Sequence, residues 1–115
     1  MSNGLHIIID CRGLPFELCI DDKKLYEVLL RIAAEEGANV ISTARYRFGY
    51  ASPPGCTVFL MLDESHISLH TYAAEGKMAI DIFTCGDRVD GKKIFNAFKS
   101  EIGIKDYELK LIDRF

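Results

Sequence analysis

Residues 57–72 read Thr-Val-Phe-Leu-Met-Leu-Asp-Glu-Ser-His-Ile-Ser-Leu-His-Thr-Tyr and contain two segments with the pattern of a strand, the first apolar and the second with polar and apolar side chains in alternation. Only Asp63 and Glu64 separate the two segments, 57–62 and 65–72. So short a connection between two such runs predicts a β-hairpin, because it returns the second strand beside the first. The peptide bond after Glu64 is therefore expected at or next to a tight turn.

Periodicity outside this hairpin predicts four further strands and two helices. The strands cover residues 5–10, 39–48, 78–85 and 107–112. The first helix follows a cap at Asp21 or Asp22 and ends at Gly37, and the second covers residues 90–102. The resulting order, β-α-β-β-β-β-α-β, predicts the α+β class: a two-layer sandwich with an antiparallel or mixed sheet and both helices on one face.

A weak internal sequence repeat supports two related β-α-β halves within a single domain of residues 1–115. Ile9-Asp10 is followed by a Lys-Lys pair at 23–24, and Ile80-Asp81 is followed by a Lys-Lys pair at 92–93. Residues 49–55, Gly-Tyr-Ala-Ser-Pro-Pro-Gly, are turn-forming and predict a surface loop.

The composition narrows the class of protein. A length of 115 residues fits one domain, and 49% hydrophobic with 27% charged residues is typical of a globular chain. A net charge of −3 and a pI near 5.6 argue against a nucleic-acid partner. Because no apolar run approaches the ~20 residues that span a bilayer, no membrane partner is expected and the chain is predicted to be cytoplasmic. Cys11, Cys19, Cys56 and Cys85 show no Cys-x-x-Cys spacing and are expected to be reduced thiols.

Ser65 directly follows a glutamyl carbonyl, and two imidazoles come soon after it. A serine in this position can attack the backbone carbonyl that precedes it. Residues 64–71, Glu-Ser-His-Ile-Ser-Leu-His-Thr, are followed by residues 81–86, Asp-Ile-Phe-Thr-Cys-Gly. Together they resemble the self-cleavage site of the small prokaryotic S-adenosylmethionine decarboxylases, whose members read Glu-Ser-His-x-Ser/Thr-x-His-Thr and then Asp-x-Phe-Thr-Cys-Gly.

The resemblance implies a proenzyme that makes its own cofactor. The Ser65 hydroxyl would attack the carbonyl of Glu64, the cleavage-site residue, and the chain would separate into residues 1–64 and 65–115. The second product would begin with a pyruvoyl group, whose ketone forms a Schiff base with the substrate amine and draws in electrons during decarboxylation. The resemblance also implies that neither a metal nor pyridoxal phosphate is needed, and that cleaved protomers form a homodimer.

The resemblance also implies roles for three further residues. Thr57, eight residues before Ser65, would stabilise the oxyanion during processing, and His70, five residues after it, would be the processing base. Cys85 would return a proton to the substrate after decarboxylation and assist processing. In a regular strand Ser65 and His70 point to opposite faces. We therefore expect a bend or bulge near Ser65 that turns it toward His70.

The predicted substrate depends on departures from the family pattern. Where members continue Trp-Pro-Glu, this chain has Tyr72, Ala73 and Ala74, so an aromatic ring remains but the acceptor for the ribose hydroxyls is lost. Glu75 lies one residue further on, and Phe48 remains as a second aromatic wall of the substrate site. We therefore expect a basic amino acid, L-arginine or L-ornithine, in preference to the alternative, S-adenosylmethionine, which supplies the aminopropyl donor for spermidine. Either substrate places the enzyme in polyamine synthesis.

Two alternatives of other classes stay open. His66, His70 and a cysteine could hold zinc, although His-x-x-x-His suits a helix and the alternation here indicates a strand. The second alternative is a homologue that no longer reacts and serves as an oligomeric or regulatory partner. The joint presence of Thr57, Ser65, His70 and Cys85 disfavours this second alternative.

Overall fold

The structure is a computed structural model that describes residues 4–63, 65–85 and 88–115. Glu64, the predicted cleavage-site residue, and Gly86 of the downstream motif lie outside the described residues. The strands are β1 (Leu5–Arg12), β2 (Val40–Phe48), β3 (Gly55–Leu62), β4 (His66–Tyr72), β5 (Lys77–Thr84) and β6 (Asp106–Asp113). The helices are α1 (Phe16–Cys19), α2 (Asp22–Glu35) and α3 (Gly91–Ile102), with a short 3₁₀ helix at Ala73–Glu75.

One sheet contains all six of these strands, in the order β2-β3-β4-β5-β1-β6, and every neighbouring pair is antiparallel. The chain contains two strand–helix–strand segments, β1–α2–β2 and β5–α3–β6, as the internal sequence repeat predicts. In the sheet, β5 and β6 flank β1, whereas three strands separate β1 from β2. The predicted α+β sandwich with an antiparallel sheet is confirmed.

Helices α2 and α3 cover one face of the sheet because each has a single apolar stripe. The stripe of α2 includes Leu25, Leu29 and Ile32, spaced three or four residues apart, and each is at most 2% exposed. Asp21 caps this helix by accepting a hydrogen bond from the Lys24 N–H at 3.0 Å. Asp90 caps α3 in the same way.

The two faces of the sheet differ in character because side chains alternate along each strand. On the helix-covered face, the residues of β3, β4 and β5 are buried: Val58, Leu60, Ile67, Leu69, Ile80 and Ile82. We call the opposite face the open face. In the central strands it presents Thr57, Phe59, Met61, His66, Ser68, His70, Tyr72, Ala79, Asp81 and Phe83, which are half-buried or exposed.

Helix α1 is not predicted from the sequence. It is four residues long, follows Pro15, and has no side-chain cap, so it lacks both the periodicity and the polar start that mark a helix. Its last residue, Cys19, is fully buried beside the sheet. Among the described residues, no helix is both long and apolar enough to cross a membrane.

Candidate active site

The β3–β4 hairpin sets the positions of two predicted processing residues. Its register pairs Thr57 with His70 at one end and Met61 with His66 at the other. Paired residues of antiparallel strands point to the same face, so Thr57 and His70 meet on the open face. There Oγ1 of Thr57 lies 2.7 Å from Nδ1 of His70, within hydrogen-bond distance. The fold therefore brings together the hydroxyl and the imidazole that are predicted to act in processing.

Two aromatic rings enclose the His70 imidazole. The Phe48 ring stacks on it, with centroids 5.1 Å apart and planes at 18°. The Tyr72 ring meets it edge-on, at 5.0 Å and 66°. Gly55 allows Phe48 to come this close, because a Cβ there would lie 2.6 Å from the Phe48 ring. The imidazole is held in one orientation, with Nδ1 turned to Thr57.

A cleft of about 410 Å³ opens beside these rings, a size suited to a small-molecule ligand. Its walls come from the end of β2, the loop at 49–55, β4 and the 3₁₀ helix. The Ala73 N–H donates to the Pro54 carbonyl at 3.1 Å and so ties the loop to the 3₁₀ helix. The lining residues are Phe48, Ser52, Pro53, Pro54, His70, Tyr72, Ala74 and Glu75.

Glu75 is the acidic residue among the described residues that line this cleft. Its Oε1 lies 3.1 Å from Nζ of Lys77, and both side chains are more than half exposed. Exposed ion pairs of this kind contribute only about 0–1 kcal/mol, so a ligand hydroxyl can compete for the carboxylate. Lys77, which the sequence did not single out, also reduces the negative charge that a cationic ligand would meet.

Ser65 lies at the other end of the same hairpin. It is half-buried and immediately precedes β4. The Leu62 N–H donates to the Ser65 carbonyl at 2.9 Å and closes the connection between the strands. The predicted nucleophile is therefore in the tight connection, as the two-residue spacing indicates.

Cys85 lies at the same end of the sheet as Ser65. It directly follows β5, in which Phe83 pairs with His66 at the start of β4. Cys85 is half-buried. It lies two residues after Phe83, so the alternation of side chains along β5 directs it to the open face, as it does Phe83. The Phe83 ring contacts the imidazoles of His66 and His6, with centroids 5.6 and 6.0 Å apart, so this end has an aromatic cluster of its own.

The predicted bend that would turn Ser65 toward His70 is wrong. Strand β4 pairs with β3 without a register shift from His66 to His70. Five residues at about 3.4 Å each put Ser65 roughly 17 Å from His70 along the strand. Proton transfer needs heavy atoms about 3 Å apart. Within one chain, Thr57 and His70 are therefore too far from Ser65 to process it.

All four cysteines are free thiols, as the sequence predicts, and three of them are buried. Burial raises the pKa of Cys19 from its ordinary value of 9.0 to about 11, and that of Cys11 to about 12. Burial also raises the pKa of Cys56. These groups stay protonated at neutral pH and are poor nucleophiles there.

The raised pKa values predict that alkaline pH destabilises the fold. Below pH 9 the Cys19 thiol is protonated in both states, whereas between pH 9 and about 11 it ionises only in the unfolded chain. Unfolding is then favoured by up to about 1.4 kcal/mol per pH unit for each such thiol. We expect the urea midpoint, measured in reductant, to fall from pH 8 to pH 10.5 more steeply in the wild type than in Cys19→Ala.

Val58→Ala provides the control, because it opens a buried cavity without removing an ionisable group. It should lower the midpoint at both pH values and retain the wild-type pH dependence. An equal pH dependence in Cys19→Ala and the wild type would contradict the assignment of this effect to Cys19.

The zinc alternative requires His66, His70 and a cysteine to converge. Across residues 4–63, 65–85 and 88–115, no group of three or more His, Cys, Asp or Glu side chains could hold a metal ion. His66 and His70 instead lie at opposite ends of β4, one against Phe83 and the other against Thr57.

Comparison with known proteins gives consistent matches along nearly the whole chain. Residues 5–115 match the family described as S-adenosylmethionine decarboxylase. The S-adenosylmethionine decarboxylase proenzyme of Carboxydothermus hydrogenoformans is 36% identical over 102 residues, 89% of this chain and 78% of that protein. The proenzyme of Symbiobacterium thermophilum is 42% identical over 100 residues, 87% of this chain and 74% of that protein.

A solved structure supports the same relationship. The crystal structure of the adenosylmethionine decarboxylase from Aquifex aeolicus superposes with a TM-score of 0.86 at 26% sequence identity. The match covers 98% of this chain and 91% of the other. The described strands and helices are thus arranged as they are in that protein.

Proposed function

The chain belongs to the S-adenosylmethionine decarboxylase family, and from this premise we propose that it is a self-processing, pyruvoyl-dependent decarboxylase of S-adenosylmethionine. The observation that carries the proposal is the Thr57–His70 pair beside an aromatic cleft, on a sheet whose other end presents Ser65 and Cys85. The basic amino acid preferred on sequence grounds is not supported. The relatives are named for S-adenosylmethionine, and their names favour the alternative substrate.

The chemistry of the cleft supports this choice of substrate. Phe48, Tyr72 and the two prolines offer flat, apolar surfaces on which an adenine ring can stack. A guanidinium group would instead need a carboxylate free to form two hydrogen bonds. Glu75 has the Lys77 ammonium group 3.1 Å from its carboxylate, and this positive charge would repel a guanidinium group but not a neutral sugar hydroxyl. It is better suited to accept hydrogen bonds from sugar hydroxyls, in place of the acceptor that Ala74 lacks.

Processing begins when the Ser65 hydroxyl oxygen attacks the carbonyl carbon of Glu64. A C–O bond forms, the amide C–N bond breaks as the hydroxyl proton passes to the departing nitrogen, and the chain is held by an ester. The Thr57 hydroxyl donates to the oxyanion that forms in between. His70 then removes the Cα proton of Ser65, and the ester leaves as the Glu64 carboxylate. The resulting dehydroalanine tautomerises and is hydrolysed by water, which releases ammonia and leaves the pyruvoyl group.

A homodimer would bring together the Ser65 of one protomer and the His70 of the other, although the two residues lie roughly 17 Å apart within one chain. If two open faces pack about a two-fold axis with their hairpins reversed, the Ser65 and Cys85 end of one protomer meets the Thr57 and His70 end of the other. Such an interface is self-complementary and forms two equal sites. Large apolar side chains exposed on the open face support it: Tyr46 is 66% exposed, Met61 44% and Ile112 40%.

The residues fit a pyruvoyl group, since the half-buried Ser65 lies in the tight connection between β3 and β4 and a half-buried thiol, Cys85, lies at the same end of the sheet. The group supplies an electron sink for the electron pair that remains on the substrate when CO₂ leaves. Phe48 and Tyr72 hold the nucleoside of the substrate, Glu75 accepts from its hydroxyls, and Cys85 donates a proton to its reacting carbon. The expectations of no nucleic-acid or membrane partner and of a cytoplasmic location stay predictions.

The substrate is tested by CO₂ release from purified, cleaved protein given S-adenosylmethionine, L-arginine and L-ornithine side by side. We expect turnover of S-adenosylmethionine and no measurable turnover of the two amino acids. Glu75→Gln should raise KM about tenfold with little change in kcat, because a charge-assisted hydrogen bond to the sugar hydroxyls is replaced by a weaker neutral one. Glu27→Gln, an exposed change on α2, is the matched control. Turnover of either amino acid at a comparable rate would contradict the proposed substrate.

A further inference from the structure

We propose that Thr71 is a positioning residue for self-cleavage, which holds Thr57 and His70 at hydrogen-bond distance from the helix-covered side of the sheet. The inference rests on the proposed function, because it concerns the processing pair. It assigns Thr71 no contact with substrate or with the bond that is cut.

Thr71 is a buried hydroxyl with two strong hydrogen bonds. It is 0% exposed, on the helix-covered face of β4. Its Oγ1 accepts from the Cys56 N–H at 2.8 Å and donates to the Cys19 carbonyl at 2.5 Å. The same hydroxyl therefore links β3, β4 and the end of α1.

These hydrogen bonds lie directly behind the processing pair. Cys56 precedes Thr57, and Thr71 follows His70. The paired residues of β3 and β4 end at Thr57 and His70, and the next N–H of β3, that of Cys56, goes to the Thr71 hydroxyl. The Thr71 side chain thus extends the hydrogen bonding between β3 and β4 by one residue beyond the last backbone pair, Thr57 and His70.

The link to α1 fixes the Thr71 hydroxyl in turn. The Cys19 carbonyl accepts from Thr71 and also receives the Cys56 thiol at 3.4 Å. Without the hydroxyl, the Cys56 N–H and the Cys19 carbonyl would be buried without this partner, which is unfavourable. We infer that the ends of β3 and β4 would separate to admit water, and that Thr57 would move away from His70.

The inference predicts slower processing in Thr71→Val, which keeps the size of the side chain and removes the hydroxyl. Displacements of about 1 Å can slow a positioned reaction by up to about a hundredfold, so we expect the rate to fall ten- to a hundredfold. The rate is measured in cell-free translation with a labelling pulse, from the decay of the full-length band. Thr71→Ser should restore at least half of the wild-type rate.

Ile80→Val is the control for stability, because it trims a buried residue of β5 by one methyl and alters no hydrogen bond. It should process at the wild-type rate. If Thr71→Val does not fold, Thr71→Ala compared with Thr71→Ser carries the same test, since alanine also lacks the hydroxyl.

A double-mutant cycle separates positioning from general weakening of the fold. In a Thr57→Ala background, Thr71→Val should have at most a twofold effect on the residual rate, because the pair it serves is already lost. Full additivity of the two changes would overturn the inference, as would an unchanged rate in Thr71→Val. A wild-type chain that is never cut would instead refute the proposed function itself.

Discussion

Co-expression of a Ser65→Ala chain with a His70→Ala chain is expected to restore the cleavage that neither chain supports alone. The expectation follows from the regular β3–β4 pairing, which leaves Ser65 and His70 at opposite ends of the hairpin in each chain. In a mixed dimer, the His70→Ala chain keeps its Ser65 and meets the intact His70 of its partner. The effect should be all or none, because the base for elimination is either present or absent.

Different affinity tags on the two chains identify which one is cut. Only the His70→Ala chain should yield fragments 1–64 and 65–115, and up to half of its copies should do so if the chains pair at random. Mixing each variant with itself is the control and should give no fragments. If the His70→Ala chain is cut without a partner, processing does not need this imidazole, and the proposed dimer loses its main support.

Ser65→Ala alone is expected to give an uncut chain of 115 residues with no decarboxylase activity. The variant removes the hydroxyl that attacks the preceding carbonyl, and with it the source of the ketone. Mass spectrometry of the intact protein measures the cut, and trapping with hydrazine measures the ketone. Activity should fall to background.

Ser100→Ala is the matched control for this experiment, since it removes an exposed serine hydroxyl on α3. It should be cut and active like the wild type. An active Ser65→Ala protein would contradict the pyruvoyl mechanism, whatever the substrate.

The sequence was sufficient to predict the strands and the two long helices. Their apolar spacing is regular, and Asp21 and Asp90 provide recognisable caps. In the structure, alternation along β3 and β4 brings Thr57, His70 and Tyr72 together on one face. Helix α1 was not predictable because four residues after a proline carry no helical period.

The candidate site was predictable in composition and not in arrangement. Motif spacing identified Thr57, Ser65, His70 and Cys85, but strand length, at about 3.4 Å per residue, separates them into two groups within a chain. The pairing of Glu75 with Lys77 had no signal in the sequence, because it depends on how the 3₁₀ helix turns into β5. The role inferred for Thr71 likewise depends on α1, which brings the Cys19 carbonyl to it.

The order of the strands determines what happens to the two fragments after the cut. Fragment 1–64 would hold β1, β2 and β3, and fragment 65–115 would hold β4, β5 and β6. Their strands interleave across the sheet, since β1 of the first fragment sits between β5 and β6 of the second. Neither piece can leave without breaking main-chain ladders on both sides of β1. We therefore expect cleavage to cut the backbone without releasing either fragment, so that the two fragments separate only in a denaturant.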